Sequence, residues 1–168
     1  MFNISPIEWD LLGRLLLATV LGAIIGLERE HSGKVAGLRT HALVALGSAI
    51  FTVISILVYT QFPNNSGQFG YDNRIIANII VGIGFIGAGA IIRRPDKVEG
   101  TTTAASLWAV AGIGTASGFG FFTEAIGATV IAYCVLALLW LLEKYASKTI
   151  KSRKFEDEGS DEDNRPIA

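Results

Sequence analysis

The residues of this 168-residue chain that could do chemistry stand at the edges of long apolar runs. Glu28, Arg29 and Glu30 precede Arg39, Thr40 and His41; Asp72, Arg74 and Asn78 form a second group; Arg93 with Thr101, Thr102 and Thr103 forms a third. An ionisable group at membrane depth is costly, so each cluster marks a functional position whose partner should lie close by. Two chemistries fit the cytoplasmic clusters. Glu28, Glu30, Asp96 and Glu99 offer hard oxygen ligands, and Mg²⁺ is held through one or two carboxylates plus retained waters. Asp72 is a further candidate ligand, although it belongs to the opposite membrane face. Alternatively, a helix opening at Thr101–Thr103 beside Arg39, Arg93 and Arg94 suits an anion such as phosphate. Mutual neutralisation of the charges is a third option, and the residues leave all three open. Arg74 and Asn78, one helical turn apart beside Asp72, read equally as an interfacial ion pair that sets helix depth.

Other chemistries find no set of residues. Two histidines and one cysteine, Cys134, make a His/Cys metal cluster nearly impossible and rule out an intrachain disulfide. Gly82, Gly84 and Gly87 spell GxGxxG, but a dinucleotide site needs a preceding strand and a βαβ unit, whereas these glycines interrupt an apolar run. No GxxxxGK[ST] and no nucleophile–base pair can be assembled, so the chain reads as a non-enzyme without a cofactor.

The elements that must position these residues are hydrophobic. The chain is 51% hydrophobic and 17% charged, against about 25% charged in a soluble domain. Five spans are expected, at about 9–27, 42–60, 75–92, 103–120 and 125–142, forming an all-α membrane bundle over residues 1–145. Glu8 and Asp10 precede the first basic residue, Arg14, so the first span lacks the basic start of a secretory signal and should stay attached. Residues 146–168 turn basic and then acidic, the composition of a solvated tail. The loops after the first and third spans each carry three Lys/Arg, against one after the second and none after the fourth. That asymmetry puts the N-terminus outside and the C-terminus in the cytoplasm. Gly22 and Gly26 on the first span, and Gly82, Gly84, Gly87 and Gly89 on the third, let neighbouring backbones approach closely. They are the expected packing faces, within the chain or in a homo-oligomer, a dimer first.

GLERE at 26–30, AGLRTH at 36–41, DNRI at 72–75, GIGFIGAGAIIR at 82–93 and GTTTAASLW at 100–108 resemble the MgtC/SapB family of bacterial membrane proteins. The resemblance covers roughly residues 10–120, in the family's order and spacing. It implies a multi-pass inner-membrane protein linked to growth in low magnesium, to survival of pathogens inside macrophages, and to phosphate and membrane-potential homeostasis. It also implies action on partners, among them the F-type ATP synthase, a magnesium-transporting P-type ATPase and a sensor kinase. Glu28, Arg29, Glu30, Arg39, Thr40, His41, Asp72, Arg74, Arg93 and Thr101–Thr103 are its polar motif positions. Longer members continue into a soluble domain resembling an ACT fold, for which about 25 residues after the last span are too few. The resemblance is therefore to the short SapB/YhiD-like form. The leading expectation is a modulator of ion homeostasis that binds a partner or an ion; the rival is an oligomeric transporter or channel for Mg²⁺, another cation or phosphate.

Overall fold

A computed structural model describes residues 6–61 and 73–138. Asp72, most of the loop before it, the end of the fifth expected span and the charged tail lie outside those residues. Five helices account for nearly all of the described chain: α1 (Pro6–His31), α2 (Leu38–Gln61), α3 (Asn73–Ala90), α4 (Thr101–Phe119) and α5 (Phe122–Leu138). By contact the chain divides into two units, Met1–Tyr133 and Cys134–Ala168, and the packing below belongs to the first.

α1 starts on a proline, which has no N–H to leave unbonded there. It runs four residues past the expected end, so Glu28, Arg29 and Glu30 form its last turn and not a loop. Gly33 stops it at φ +65°, with the Gly33 N–H on the Glu30 carbonyl and the Lys34 N–H on the Arg29 carbonyl, both at 3.0 Å. These two bonds satisfy carbonyls that the helix end would otherwise leave bare. α4 ends by the same device at Gly120, φ +84°, where the Phe121 N–H reaches the Ala116 carbonyl at 2.9 Å. Arg14 strengthens that end: its Nη1 donates to the Gly118 carbonyl at 3.2 Å while its Nη2 pairs with Asp10 at 2.7 Å. A cation there complements the negative end of the helix dipole.

α3 stops at Ala90, two residues before the expected boundary. Ile92–Arg93 and Val98–Glu99 pair as a small antiparallel hairpin, with Ile92 opposite Glu99 and Arg93 opposite Val98. Pro95 and Asp96 supply the turn between them. The all-α reading therefore acquires one two-stranded ladder. Gly100 follows and caps α4; a Cβ there would collide with the Ala90 carbonyl.

α1 and α2 run antiparallel, and α4 lies against both. The glycine-rich fourth segment is the centre of the bundle. Val110, Ala111, Ile113, Gly114 and Ser117 of α4 are all buried. Because α1, α2 and α3 pack against α4, small and hydroxylated residues line the sides of α4 that meet them. Leu21, Ile113 and Ala125 tie α1, α4 and α5 together. Ile83 and Leu107 join α3 to α4. Trp9–His31 and Leu38–Gln61 are long and apolar enough to cross a membrane; Arg74–Ala90 and Phe122–Leu138 are shorter apolar helices.

Candidate functional site

The end of α1 and the starts of α2 and α4 bring a polar cluster together inside the bundle. Arg29 projects inward from the last turn of α1 and is only 1% exposed. Its Nε donates to Oε2 of Glu28, whose Oε1 accepts from the Ser32 hydroxyl at 2.8 Å. A buried charge without a partner would be expelled or neutralised, so the Arg29–Glu28 pair is what allows either residue to be there. His41, fully buried on α2, stands close enough for both charges to act on its ring. Its Nδ1 donates to the Gly37 carbonyl at 2.9 Å, and Nε2 lies 2.9 Å from the Ser106 hydroxyl on α4. Ser106 Oγ is also 2.9 Å from the Thr103 carbonyl. The cluster thus reaches from α1 across α2 into the first turns of α4.

The other expected positions separate. Glu30 is exposed, folds over Gly37 and accepts the Leu38 N–H at 2.9 Å, capping α2. Arg39 and Thr40 fall in the first turn of α2, exposed and directed away from the cluster toward a groove. Of the three threonines, Thr103 is buried while Thr101 and Thr102 face outward. Arg93 is exposed on the hairpin, and Arg94 and Lys97 serve Glu99 at 3.8 and 2.5 Å. Of the partners open to Glu28 and Glu30, Glu28 takes Arg29 and Ser32, and Glu30 takes the Leu38 N–H. Arg74 and Asn78 sit at the opposite end of the helices, and Asp72 is outside the described residues. Among the described residues no three Asp, Glu, His or Cys side chains converge as a metal site would require.

The glycines divide in the same way. A Cβ on Gly22 would stand 2.6 Å from the Ala45 Cβ, and one on Gly26 2.7 Å from the Leu38 Cα, so both are occupied by α2 of the same chain. Gly87 meets Ala104 of α4 at 3.5 Å, whereas Gly82, Gly84 and Gly89 meet nothing. Sequence reasoning passed over Gly114 and Gly118, which press on Ala45, Ala49 and Thr52 of α2. Their GxxxG spacing was the available signal. Ser106 was legible only as one letter of GTTTAASLW, since a lone serine in an apolar helix commonly bonds its own backbone.

A groove of about 760 Å³ opens between α2 and α3, which diverge where α3 leans on α4. Its walls are apolar, represented by Leu43, Phe51, Ile79 and Ile83, with Arg39 and Thr40 at one end and Asn78 toward the other.

The fold is a helical bundle with a buried ion pair and a histidine–serine bridge at one end. A family model described as the MgtC family matches residues 15–145, and the chain belongs to that family. It is 48% identical over 125 residues to Protein MgtC of Salmonella typhimurium (strain LT2), covering 74% of this chain and 50% of that one. Protein SapB of Bacillus subtilis (strain 168) is 38% identical over 149 residues, 88% of this chain and 64% of its own. YhiD of Escherichia coli (strain K12), named as a proposed magnesium transporter, is 41% identical over 124 residues, 73% of this chain and 57% of its own. The chain spans about half of the Salmonella protein and under two thirds of the other two. No solved structure matches it.

Proposed function

We propose that the chain is a non-enzymatic, multi-pass protein of the bacterial inner membrane that modulates magnesium-linked ion homeostasis by binding a partner protein or an ion. Family membership and the two long apolar helices support the membrane assignment. Its N-terminus is outside and its C-terminus cytoplasmic, a reading supported by the Lys/Arg-rich loops and by the alternating directions of α1 to α4. The observation that carries modulation over conduction is the separation of the polar residues. The Glu28–Arg29–His41–Ser106 cluster is closed by its own hydrogen bonds, and the apolar groove divides it from Arg74 and Asn78. A hydrated ion following that route would lose its water without gaining ligands. Partners of the kind associated with the family, an F-type ATP synthase or a magnesium-transporting P-type ATPase, would meet the outward helical faces. A second copy would use the exposed side of α3 around Val81, Gly84 and Phe85.

The transporter reading draws on the name of the Escherichia coli relative and would need an oligomer to complete a path. Purified chain in liposomes decides between them. Modulation expects no Mg²⁺ or phosphate flux under an imposed gradient, together with restored low-magnesium growth of a strain lacking the gene. Mg²⁺ or phosphate flux under either gradient would establish transport and reject modulation.

A further inference from the structure

We propose that the groove between α2 and α3 is a binding site for one anionic phospholipid, with an acyl chain along the groove and the phosphate on Arg39. The inference rests on the membrane reading above and adds a ligand to it.

Three observations converge on that occupant. The groove is elongated: its α2 wall runs from Arg39 to Ile54, about 22 Å at the helical rise, against about 15 Å for one leaflet of hydrocarbon. An acyl chain fits that length with room for the glycerol. The walls offer branched aliphatic side chains and Phe51, and the floor is opened by Gly47 and Gly82, where an added Cβ would meet nothing within 4 Å. The mouth is positive. Arg39 forms no hydrogen bond or ion pair among the described residues, and it projects from the first turn of α2, where the helix dipole already favours an anion. That turn holds no acidic residue, and the neighbouring acid, Glu30, is engaged by the Leu38 N–H. A guanidinium beside the Thr40 hydroxyl is a donor set for phosphate oxygens. On the predicted topology this mouth opens to the cytoplasmic leaflet, where anionic lipids create a negative surface.

The test uses the full chain extracted from membranes in a mild detergent, with phosphatidylglycerol and phosphatidylcholine as probes and native mass spectrometry as the readout. The expected result is one phosphatidylglycerol per chain, retained about tenfold more strongly than phosphatidylcholine. Arg39→Gln should remove that preference while weak binding of either lipid persists. Gly47→Leu and Gly82→Leu should expel the lipid, because each fills the groove from a position with free space around it. Melting temperature confirms that the variants fold, and Arg39→Gln, an exposed change, carries the test if a leucine variant does not. Equal retention of both lipids, untouched by Arg39→Gln, means annular lipid only and overturns the proposal. So does a dimer lost on Gly47→Leu, which would make the occupant a second copy, or displacement of the lipid by inorganic phosphate alone. A chain that stays in carbonate-washed membranes yet holds no phosphatidylglycerol refutes the lipid site only. A chain washed out of the membrane refutes the membrane reading and the site together.

Discussion

His41 on α2 and Ser106 on α4 meet through Nε2 and Oγ at 2.9 Å, joining two helices that start at the same end of the bundle. The hydrogen-bond count fixes the ring's proton. Nδ1 faces a backbone carbonyl, which can only accept, so Nδ1 carries the hydrogen. In the neutral ring Nε2 then accepts from Ser106, and the single hydroxyl proton is divided between His41 and the Thr103 carbonyl. Nitrogen-15 spectra of the folded protein should show the Nδ1–H tautomer. Ser106→Ala should cost about 1 kcal/mol and His41→Phe about 1–3 kcal/mol, the difference reflecting the orphaned polar groups. A double-mutant cycle by thermal unfolding should return a coupling of at least about 0.5 kcal/mol. Strict additivity would show that the bridge contributes nothing.

Arg29 is the costlier residue to remove. It is buried, and its loss leaves the Glu28 carboxylate at 8% side-chain exposure with Ser32 as its remaining partner. Arg29→Met should destabilise by about 3–5 kcal/mol, the range for breaking a buried pair from one side. Glu28→Gln with Arg29→Met removes both charges and should recover part of that loss. Thermal unfolding in detergent of the two variants side by side measures the difference, and a double variant less stable than Arg29→Met would contradict the ion-pair account.

The glycines of α4 make a sharper pair. A methyl group on Gly114 would collide with the Ala45 carbonyl of α2, whereas a methyl on Gly112 would meet nothing within 4 Å. Gly114→Ala should therefore force the helices apart and cost about 1–3 kcal/mol. Gly112→Ala should be neutral or stabilise by up to about 1 kcal/mol through helix propensity. Equal melting temperatures for the two variants would mean that α2 and α4 do not touch at Gly114.

That contrast also shows what could be read from the residues alone. The apolar runs were enough to anticipate five helices, because long apolar segments dominate the local energetics. The site was less legible. Glu28, Arg29 and His41 stood out as costly residues, but adjacency in sequence does not tell which side of a helix end faces inward. α1 continues to His31 before Gly33 stops it, and that last turn carries Arg29 into the core and leaves Glu30 outside. The glycines misdirected in an instructive way. Gly82, Gly84 and Gly89 were conspicuous in an apolar run, yet a Cβ added at any of them would meet nothing within 4 Å among the described residues, while Gly114 and Gly118, in a run diluted by Thr and Ser, press closely on α2.

The hairpin between α3 and α4 has its own pH dependence, set outside the helices. The Lys97 ammonium, through its hydrogen bond and its charge, holds the Glu99 carboxyl below the ordinary value of 4.5, with Arg94 adding a smaller attraction against slight desolvation. A carboxyl whose folded value is depressed contributes its stabilisation above the unfolded value and loses it as pH falls through the folded one. The Lys97–Glu99 contact should therefore be intact at neutral pH and dissolve only below pH 4.5. Lys97→Met should return the Glu99 titration toward 4.5 and remove the acid-side change in hairpin order, read from the carboxyl carbon-13 shift of Glu99 and the amide exchange of Arg94. Replacing Lys97 should leave the helical bundle unchanged, because its polar cluster does not include the hairpin residues. A midpoint for Glu99 that stays put when Lys97 is replaced would assign the shift to some other neighbour and leave the hairpin without its ionic tie.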